Sequence, residues 1–245
     1  IANDTHRFKV IVCGRRWGKT LLCVEIAFSK SFNGKRVWWI AQTYSTAGIA
    51  FRMAMSLVNQ LPKEFGIKVN IATRTITFSR TGGEFCFKSS DRPDNLRGES
   101  LDFIVMDEAD FHKGNVWSEI LRPALADRRG GAIFISTPKY ENGWFHKLFK
   151  EGQTNYGKST NIKSWQCSSY TNPYLSSDEL DEIRESTPSI IFRREILAEF
   201  VSNDGARVKK ESIQLCSIDE IYDNPNIVLS VGADLAIGRK EINDY

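Results

Sequence analysis

The chain has 245 residues, of which 41% are hydrophobic and 26% are charged, and its formal net charge is +3. The apolar content is enough for a core without disulfides or a metal, while no stretch approaches the roughly 20 apolar residues of a membrane helix. The first residues lack a signal-peptide pattern, so we expect an intracellular protein with no membrane contact. A charge this small permits a nucleic-acid partner without demanding one.

The first part of the chain alternates between short apolar runs and helical patterns. Lys9–Gly14 predicts a strand, and the pattern from Lys19 to about Phe32 predicts a helix. Arg36–Gln42 predicts a second strand, and Ser45–Gln60 a second helix. Alternation of this kind is typical of parallel strands joined by helices.

Four more β runs follow. Arg74–Arg80 and Glu84–Ser89 are separated by two glycines, which predicts an antiparallel hairpin. Asp102–Asp107 and Ala132–Thr137 are almost continuously apolar, as is typical of strands buried on both faces of a parallel sheet. Together these runs predict a three-layer α/β core over residues 1–160.

The pattern changes after about residue 155. Ser176–Ser186 opens with serines and has acids in its first turn, which is typical of a helix N-terminus. Pro188 suits the start of a second helix, Ser189–Phe200. We interpret residues 161–226 as a small helical lid followed by a linker.

The last segment again has a strand pattern. Ile227–Asp234 is apolar and ends on an aspartate, after a polar stretch that includes Pro225. We interpret residues 227–245 as the truncated first strand of a second domain.

The five cysteines are odd in number and widely scattered: Cys13, Cys23, Cys86, Cys167 and Cys216. No pair has the spacing of metal ligands, and the three histidines do not cluster with them. This pattern is typical of reduced thiols in an intracellular protein.

A glycine-containing loop lies between the first predicted strand and the first predicted helix. Its residues are Gly14, Arg15, Arg16, Trp17, Gly18, Lys19 and Thr20. Binding of a nucleotide needs backbone N–H groups around the phosphates, a lysine for the β- and γ-phosphates, and a hydroxyl for magnesium. Lys19 and Thr20 supply the lysine and the hydroxyl, although Cys13 stands where the standard pattern has its first glycine. The loop therefore predicts a site for ATP and Mg²⁺.

A second signal is the apolar strand that ends in Asp107 and Glu108. Asp107 can hold magnesium through water, and Glu108 can then orient and deprotonate the attacking water. This division of roles needs adjacent acids at the carboxyl edge of a parallel sheet, beside the phosphate loop. The alternative is a surface turn with two solvated acids, which the presence of Lys19 and Thr20 disfavours.

Asp107 to Asp110 spell DEAD, a signature of helicases. Such helicases need two recombinase-like lobes, and the chain after the first predicted sheet lacks a second strand–helix series. A monomeric DEAD-like helicase or remodelling ATPase stays open as an alternative, as does a nucleotide-binding module without catalysis.

Several short motifs accompany the two signals in a fixed order. They are Arg15 in the loop, Asn95–Gly98 (NLRG), Ile135–Pro138 (ISTP), Asn172–Pro173, Glu195–Phe200 and Val231–Asp234. In this order they resemble the ATPase domain, the lid and the start of the RNase H-like nuclease domain of viral (bacteriophage) terminase large subunits. The family's upstream glutamine, which contacts adenine, has no counterpart in the chain.

The resemblance implies a P-loop NTPase of the ASCE, RecA-like class, with a mostly parallel sheet and a small helical lid. It implies a Mg-dependent ATPase that powers translocation of double-stranded viral DNA into a capsid in the host cytoplasm. The implied partners are DNA, the portal protein, the small terminase subunit and further copies of the chain in a ring.

The resemblance also implies roles for two arginines. Arg97 matches the family's arginine finger, which acts on the ATP of a neighbouring subunit; the alternative is a local ion pair with Glu99 or Asp94. Arg15 matches an arginine that senses the γ-phosphate within the same subunit; the alternative is a solvated loop arginine.

Two further residues complete the implied site. Thr137, together with Ser136, would report loss of the γ-phosphate to the lid; the alternative is a simple strand-end turn before Pro138. Asp234 matches a metal ligand of the nuclease, but the other acids of that site are absent. We therefore expect nuclease activity only in the full-length protein.

Overall fold

A computed structural model of the chain describes residues 1–154 and 161–201. The strands in these residues are β1 (Phe8–Cys13), β2 (Arg36–Ala41), β3 (Ile67–Asn70), β4 (Thr75–Phe78), β5 (Gly83–Ser89), β6 (Phe103–Asp107), β7 (Gly131–Ser136) and β8 (Ile162–Cys167). They form one sheet in the order β3-β4-β5-β2-β6-β7-β1-β8. From β5 to β8 in this order all neighbours are parallel, and β4 is antiparallel to β3 and to β5. The mostly parallel sheet and the β4–β5 hairpin confirm the predictions.

Helices connect the strands and cover the sheet. They are α1 (Lys19–Phe32), α2 (Tyr44–Val58), a π-helical segment (Val116–Leu121) that runs into the single turn α3 (Arg122–Ala124), α4 (Trp144–Thr154), α5 (Ser177–Ser186) and α6 (Ser189–Glu195). Among the described residues, no helix is long and apolar enough to cross a membrane.

Both faces of the sheet are buried, which makes the three layers that the sequence predicts. In β1 the side chains alternate: Val10 and Val12 belong to one apolar core, while Ile11 and Cys13 belong to the other. The first core also contains residues of the π-helical segment and of α4, and the second contains residues of α1 and α2. Because β1 is packed on both sides, the sheet fixes the position of the first residue of the loop that follows it.

The position of β7 between β1 and β6 determines which residues meet at the edge of the sheet. Val12 of β1 lies opposite Ser136 of β7, and Asp107 of β6 lies opposite Ile135. The three strands are parallel, so their carboxyl ends open at the same edge. The loop after β1, the acids at the end of β6 and the residues after β7 therefore converge.

Two predicted boundaries differ from the structure. The sheet continues past residue 160, where we had expected the core to end, because β8 pairs with β1 along its whole length. The helix predicted over Ser189–Phe200 ends at Glu195. It ends there because the carbonyls of Glu195 and Ile196 accept hydrogen bonds from Arg15 N (2.7 Å) and Ser169 N (2.8 Å). The strand predicted at Ile227–Asp234 lies outside the described residues.

Candidate active site

The loop after β1 places backbone N–H groups at the start of α1. Arg16 (φ 60°) and Gly18 (φ 98°) both have left-handed backbone conformations, which glycine adopts freely and arginine only with strain. Alternation of this kind forms a concave nest of N–H groups, and the 14-residue helix α1 begins directly after it. The arrangement suits an anion such as a phosphate. Lys19 and Thr20 are the first two residues of the helix.

The carboxylate of Glu108, which follows β6, contacts both the start of α1 and the end of β7. Its Oε1 atom is 3.2 Å from Lys19 Nζ. Its Oε2 atom accepts hydrogen bonds from Ser136 Oγ (3.3 Å), Thr137 N (3.4 Å) and Thr137 Oγ1 (3.5 Å). The structure thus brings together four residues that the sequence analysis selected from three separate motifs.

Asp107 provides a buried carboxylate oxygen beside this cluster. Its Oδ1 atom is buried and has no hydrogen-bond partner among the described residues. The pKa of this carboxyl group is raised to about 7, first by burial and then by the negative charge of Glu108, while the positive charge of Lys19 lowers it. A cation would stabilise the charged form of such a group, so Asp107 and the hydroxyl of Thr20 fit a Mg²⁺ ion bound with a nucleotide.

The phosphate loop is also held by the residues after β8, which carry α5 and α6 and which we call the lid (168–201). Gly14 N donates to Cys167 O (3.0 Å), and Arg15 N donates to Glu195 O (2.7 Å). A Cβ atom on Gly14 would lie 2.4 Å from both Ile196 O and Ser169 Oγ. Only glycine fits at this position, which explains why the loop has its first glycine at residue 14.

Side chains add further contacts between the loop and the lid. Arg15 Nε is 2.5 Å from Glu195 Oε2, so Arg15 forms an ion pair with the lid. Trp17 Nε1 donates to Thr171 Oγ1 (2.8 Å), and Asn172 Nδ2 donates to the carbonyl of Arg16 (2.7 Å). Asn172 of the Asn172–Pro173 motif thus lies against the loop.

Arg97 lies apart from the cluster, after the short 3₁₀ turn Pro93–Leu96. Its Nε atom is 3.0 Å from Asp94 Oδ1, and both side chains are more than half exposed. This is one of the two local ion pairs considered in the sequence analysis. The other does not form, because Glu99 pairs with Arg36 at 2.7 Å. An exposed guanidinium at this place is accessible to a second molecule.

Two buried residues after the acid pair escaped the sequence analysis. The first, Asp110, accepts hydrogen bonds at Oδ2 from Lys139 N (2.6 Å) and Tyr140 N (2.9 Å). It therefore fixes the chain that follows Thr137. Asp110, the last residue of the DEAD sequence, therefore has a structural role in its own chain.

The second such residue, His112, connects two strand ends. Its Nε2 atom is 2.9 Å from the carbonyl oxygen of Asp107, so this nitrogen donates. Its Nδ1 atom then accepts from Ser90 Oγ at 2.8 Å. Burial lowers the pKa of His112, and its neutral form satisfies both contacts. The sequence shows only that a polar residue lies in the short segment after the two acids. Its hydrogen-bond partners can be identified only from the structure.

The metal ligand expected at Asp234 lies outside the described residues. All other residues selected for the site, except Arg97, lie where the carboxyl ends of β1, β6 and β7 open at the same edge of the sheet.

Comparisons with known proteins show to which family the chain belongs. Residues 10–214 match the family "Terminase large subunit, T4likevirus-type, N-terminal". The large terminase subunit of Thermus virus P23-45 is 34% identical over 235 residues, covering 84% of this chain and 48% of that protein. The chain thus spans about half the length of the curated relatives that it matches.

The solved structures that match the chain include further large terminases. The large terminase ATPase domain of Thermus phage P74-26 matches with a TM-score of 0.69 and 32% identity, over 81% of this chain and 90% of that one. The HK97 bacteriophage large terminase matches with a TM-score of 0.67 over 81% of this chain and 48% of that one, and its 17% identity establishes the fold alone. With a matching family model over most of its length and relatives above 30% identity, the chain belongs to the terminase large subunit family, of which it represents the N-terminal, T4likevirus-type ATPase region.

Proposed function

We propose that the chain hydrolyses ATP with Mg²⁺ and thereby powers movement of double-stranded viral DNA into a capsid. The observation that carries the proposal is the carboxylate of Glu108, which contacts Lys19 on one side and Ser136 and Thr137 on the other. These contacts join the phosphate loop, the acid pair and the strand between them in one site. The 32% identity to a domain described as the large terminase ATPase domain supports the same activity.

Each residue has a defined task in this proposal. The backbone N–H groups of the loop and Lys19 bind the phosphates, and Glu108 orients the attacking water and accepts its proton. Thr20 and Asp107 would hold the Mg²⁺ ion, which neutralises charge on the phosphates. Ser136 and Thr137 hold the second oxygen of Glu108, so a change in their position alters the alignment of the base.

We assign Arg97 to a neighbouring subunit's site, because its side chain is more than half exposed and pairs with Asp94 rather than with a residue of its own phosphate loop. A guanidinium supplied in this way stabilises charge that develops on the γ-phosphate. This role requires a ring of copies, which we propose to assemble on the capsid in the host cytoplasm, with the portal protein and the small terminase subunit as partners.

The helicase alternative needs a second sheet. In residues 1–154 and 161–201 all eight strands belong to one sheet, so that part of the chain does not contain a second lobe. Fluorescence anisotropy with double-stranded and single-stranded oligonucleotides separates the two functions. We expect tighter binding of the duplex, and a preference for single strands would favour the helicase.

We propose that DNA cleavage belongs to the full-length protein, through a metal site that includes Asp234. Metal-dependent cleavage of DNA by this chain, abolished in Asp234→Ala, would contradict that assignment.

The test of the ATPase is the substitution Glu108→Gln, which keeps the size of the side chain and removes the base. We expect hydrolysis to fall by about 10²-fold or more, since general base catalysis contributes about 10²–10⁴-fold. Nucleotide affinity, measured by titration calorimetry, should change little. The matched control is Glu119→Gln, the same change at an exposed residue of the π-helical segment. If Glu108→Gln hydrolyses ATP as fast as Glu119→Gln, the proposal fails.

A further inference from the structure

Two cysteines lie side by side where β1 and β8 end. Cys13 is the last residue of β1, Cys167 is the last residue of β8, and the two are paired in register. Parallel strands lie about 4.8 Å apart, and paired residues direct their side chains to the same face. Disulfides span Cα separations of about 4.4–6.8 Å, so a bond between these cysteines is compatible with the intact strand pairing.

The two thiols differ in exposure and in acidity. Cys13 is fully buried, and burial raises its pKa, so it stays protonated. Cys167 is partly exposed, and the interaction with the neighbouring Cys13 thiol lowers its pKa to about 7, although burial acts in the opposite direction. The outer sulfur is therefore the nucleophile and the inner sulfur the proton donor. The other described cysteines, Cys23 and Cys86, are buried with raised pKa values.

The pair lies directly beneath the phosphate loop. Cys13 precedes Gly14, the first residue of the loop, and Gly14 N donates to the carbonyl of Cys167 at 3.0 Å. Gly14 has no free space, because Ser169 Oγ and Ile196 O lie against its Cα. Any shift of either cysteine is therefore transmitted to the loop.

We propose that Cys13 and Cys167 are a modification site at which a peroxide forms a disulfide and thereby inhibits nucleotide hydrolysis. The inhibition rests on the proposed ATPase function, whereas the disulfide chemistry does not. A bond of about 2.05 Å is much shorter than a non-bonded contact between two sulfurs, so its formation moves the two side chains together beneath the loop while the strand pairing stays intact. We expect this displacement to disturb phosphate binding by the loop.

The reaction balances with hydrogen peroxide as the oxidant. The thiolate of Cys167 attacks one peroxide oxygen and becomes a sulfenic acid, and the other oxygen leaves as hydroxide, which takes up a proton to give water. The Cys13 sulfur then attacks the sulfenic sulfur, and its proton leaves with the hydroxyl group as a second water. Two thiols are oxidised and one peroxide is reduced to two waters; a dithiol reverses the change.

The experiment treats the reduced chain with hydrogen peroxide, blocks the remaining thiols by alkylation, and measures intact mass, a peptide map and ATP hydrolysis. Compared with the alkylated reduced chain, we expect two fewer alkyl groups and a further loss of about 2 Da for one disulfide. We also expect a peptide pair that links Cys13 to Cys167, and at least a tenfold fall in hydrolysis that dithiothreitol restores. Cys167→Ser should form no such link and should keep its activity in peroxide. Cys86→Ala, a change at a buried cysteine of β5, should respond as the wild-type chain does.

Cys216→Ser, at a position outside the described residues, should also respond as the wild type. A peptide map without the Cys13–Cys167 link overturns the proposed site, and a link that leaves hydrolysis unchanged overturns its effect on the loop. If Cys167→Ser does not fold, Cys13→Ala takes its place with the same expected results. If the reduced chain does not hydrolyse ATP at all, the ATPase proposal fails, while the mass measurement still decides whether the disulfide forms.

Discussion

Glu108 has a backbone conformation that few glutamates adopt. Its φ of 49° is left-handed, a conformation that costs a non-glycine residue about 1–3 kcal/mol. The turn directs its carboxylate to Lys19 and Thr137, whereas Asp107 before it stays in the strand. Two adjacent acids thus have different surroundings: one oxygen of Asp107 is buried and has no hydrogen-bond partner in the part of the chain that the structure describes, and Glu108 is held by hydroxyl and ammonium groups. This difference suits one acid for metal binding and the other for water activation.

A prediction at this scale concerns His112, which is buried and bonded to Asp107 O and Ser90 Oγ. In His112→Ala both partners lose their hydrogen bond, and we expect the free energy of unfolding to fall by about 2–3 kcal/mol. Ser90→Ala removes only the outer bond and should cost about 1 kcal/mol. Urea denaturation of the two variants measures both losses. Equal losses in the two variants would mean that the bond to Asp107 contributes nothing.

The residues that we propose to bind phosphate and Mg²⁺ could be selected from the sequence, because phosphate chemistry restricts their types and spacing. Lys19, Thr20, Asp107 and Glu108 follow from that restriction. The contacts that fix them could not be predicted. Ser169 Oγ donates to the carbonyl of Arg15 across 154 residues of chain, and no local pattern marks such a partner.

At the scale of elements, the loop after β1 makes hydrogen bonds to the lid as well as to the end of β8. Gly14, Arg15 and Arg16 each bond to residues beyond Cys167 or to Cys167 itself. The lid therefore moves only if the loop adjusts, which provides a direct connection between phosphate binding and lid position.

The substitution Gly14→Ala tests this attachment. Its Cβ would lie 2.4 Å from Ile196 O and Ser169 Oγ, and overpacking of this kind costs about 1–3 kcal/mol. We expect lower stability and weaker nucleotide binding, measured by thermal unfolding and by titration calorimetry. Gly152→Ala is the matched control, because its Cβ would lie 2.7 Å from Ser164 N, between α4 and β8. It should lower stability and leave nucleotide affinity unchanged; equal affinity in both variants would contradict the attachment.

The strands β1, β2, β4, β5, β6 and β7 were predicted because they carry apolar or alternating runs. The strand β3 was not, since its four residues lie at the edge of the sheet and two of them are exposed. The strand β8 was missed because its sequence mixes apolar, charged and polar residues, IKSWQC, and it is held by pairing with β1 rather than by its own pattern.

At the scale of the whole molecule, the proposed role of Arg97 needs a second copy of the chain, because its exposed side chain pairs with Asp94. The fold class followed from the alternation of elements, and membership of the family followed from the order of motifs. The resemblance also implies a ring, but the structure of one chain does not test it, because Arg97 pairs with Asp94 of its own chain.

Mixing two inactive variants tests this assembly. Lys19→Ala should lose its own phosphate site and keep its Arg97, while Arg97→Ala should do the reverse. In an equal mixture about a quarter of the interfaces, one half times one half, combine an intact site with an intact arginine, so hydrolysis should return in part. The measurement is the ATPase rate of the mixture against each variant alone. No recovery, with a wild-type chain that is active and oligomeric, would show that Arg97 does not act on a neighbour.

The strand order described above also has a consequence for biosynthesis. The strand β1 is made first, yet its partners are β7 and β8, and its first residue, Phe8, pairs with Ala132 and Ile162. At about 5–20 residues per second, a ribosome needs on the order of ten seconds to supply the first of these partners. During that time the apolar segment from Val10 to Cys13 has no strand beside it. The strand β1, and with it the start of the loop that follows, is therefore among the last parts of the sheet to be paired on a nascent chain.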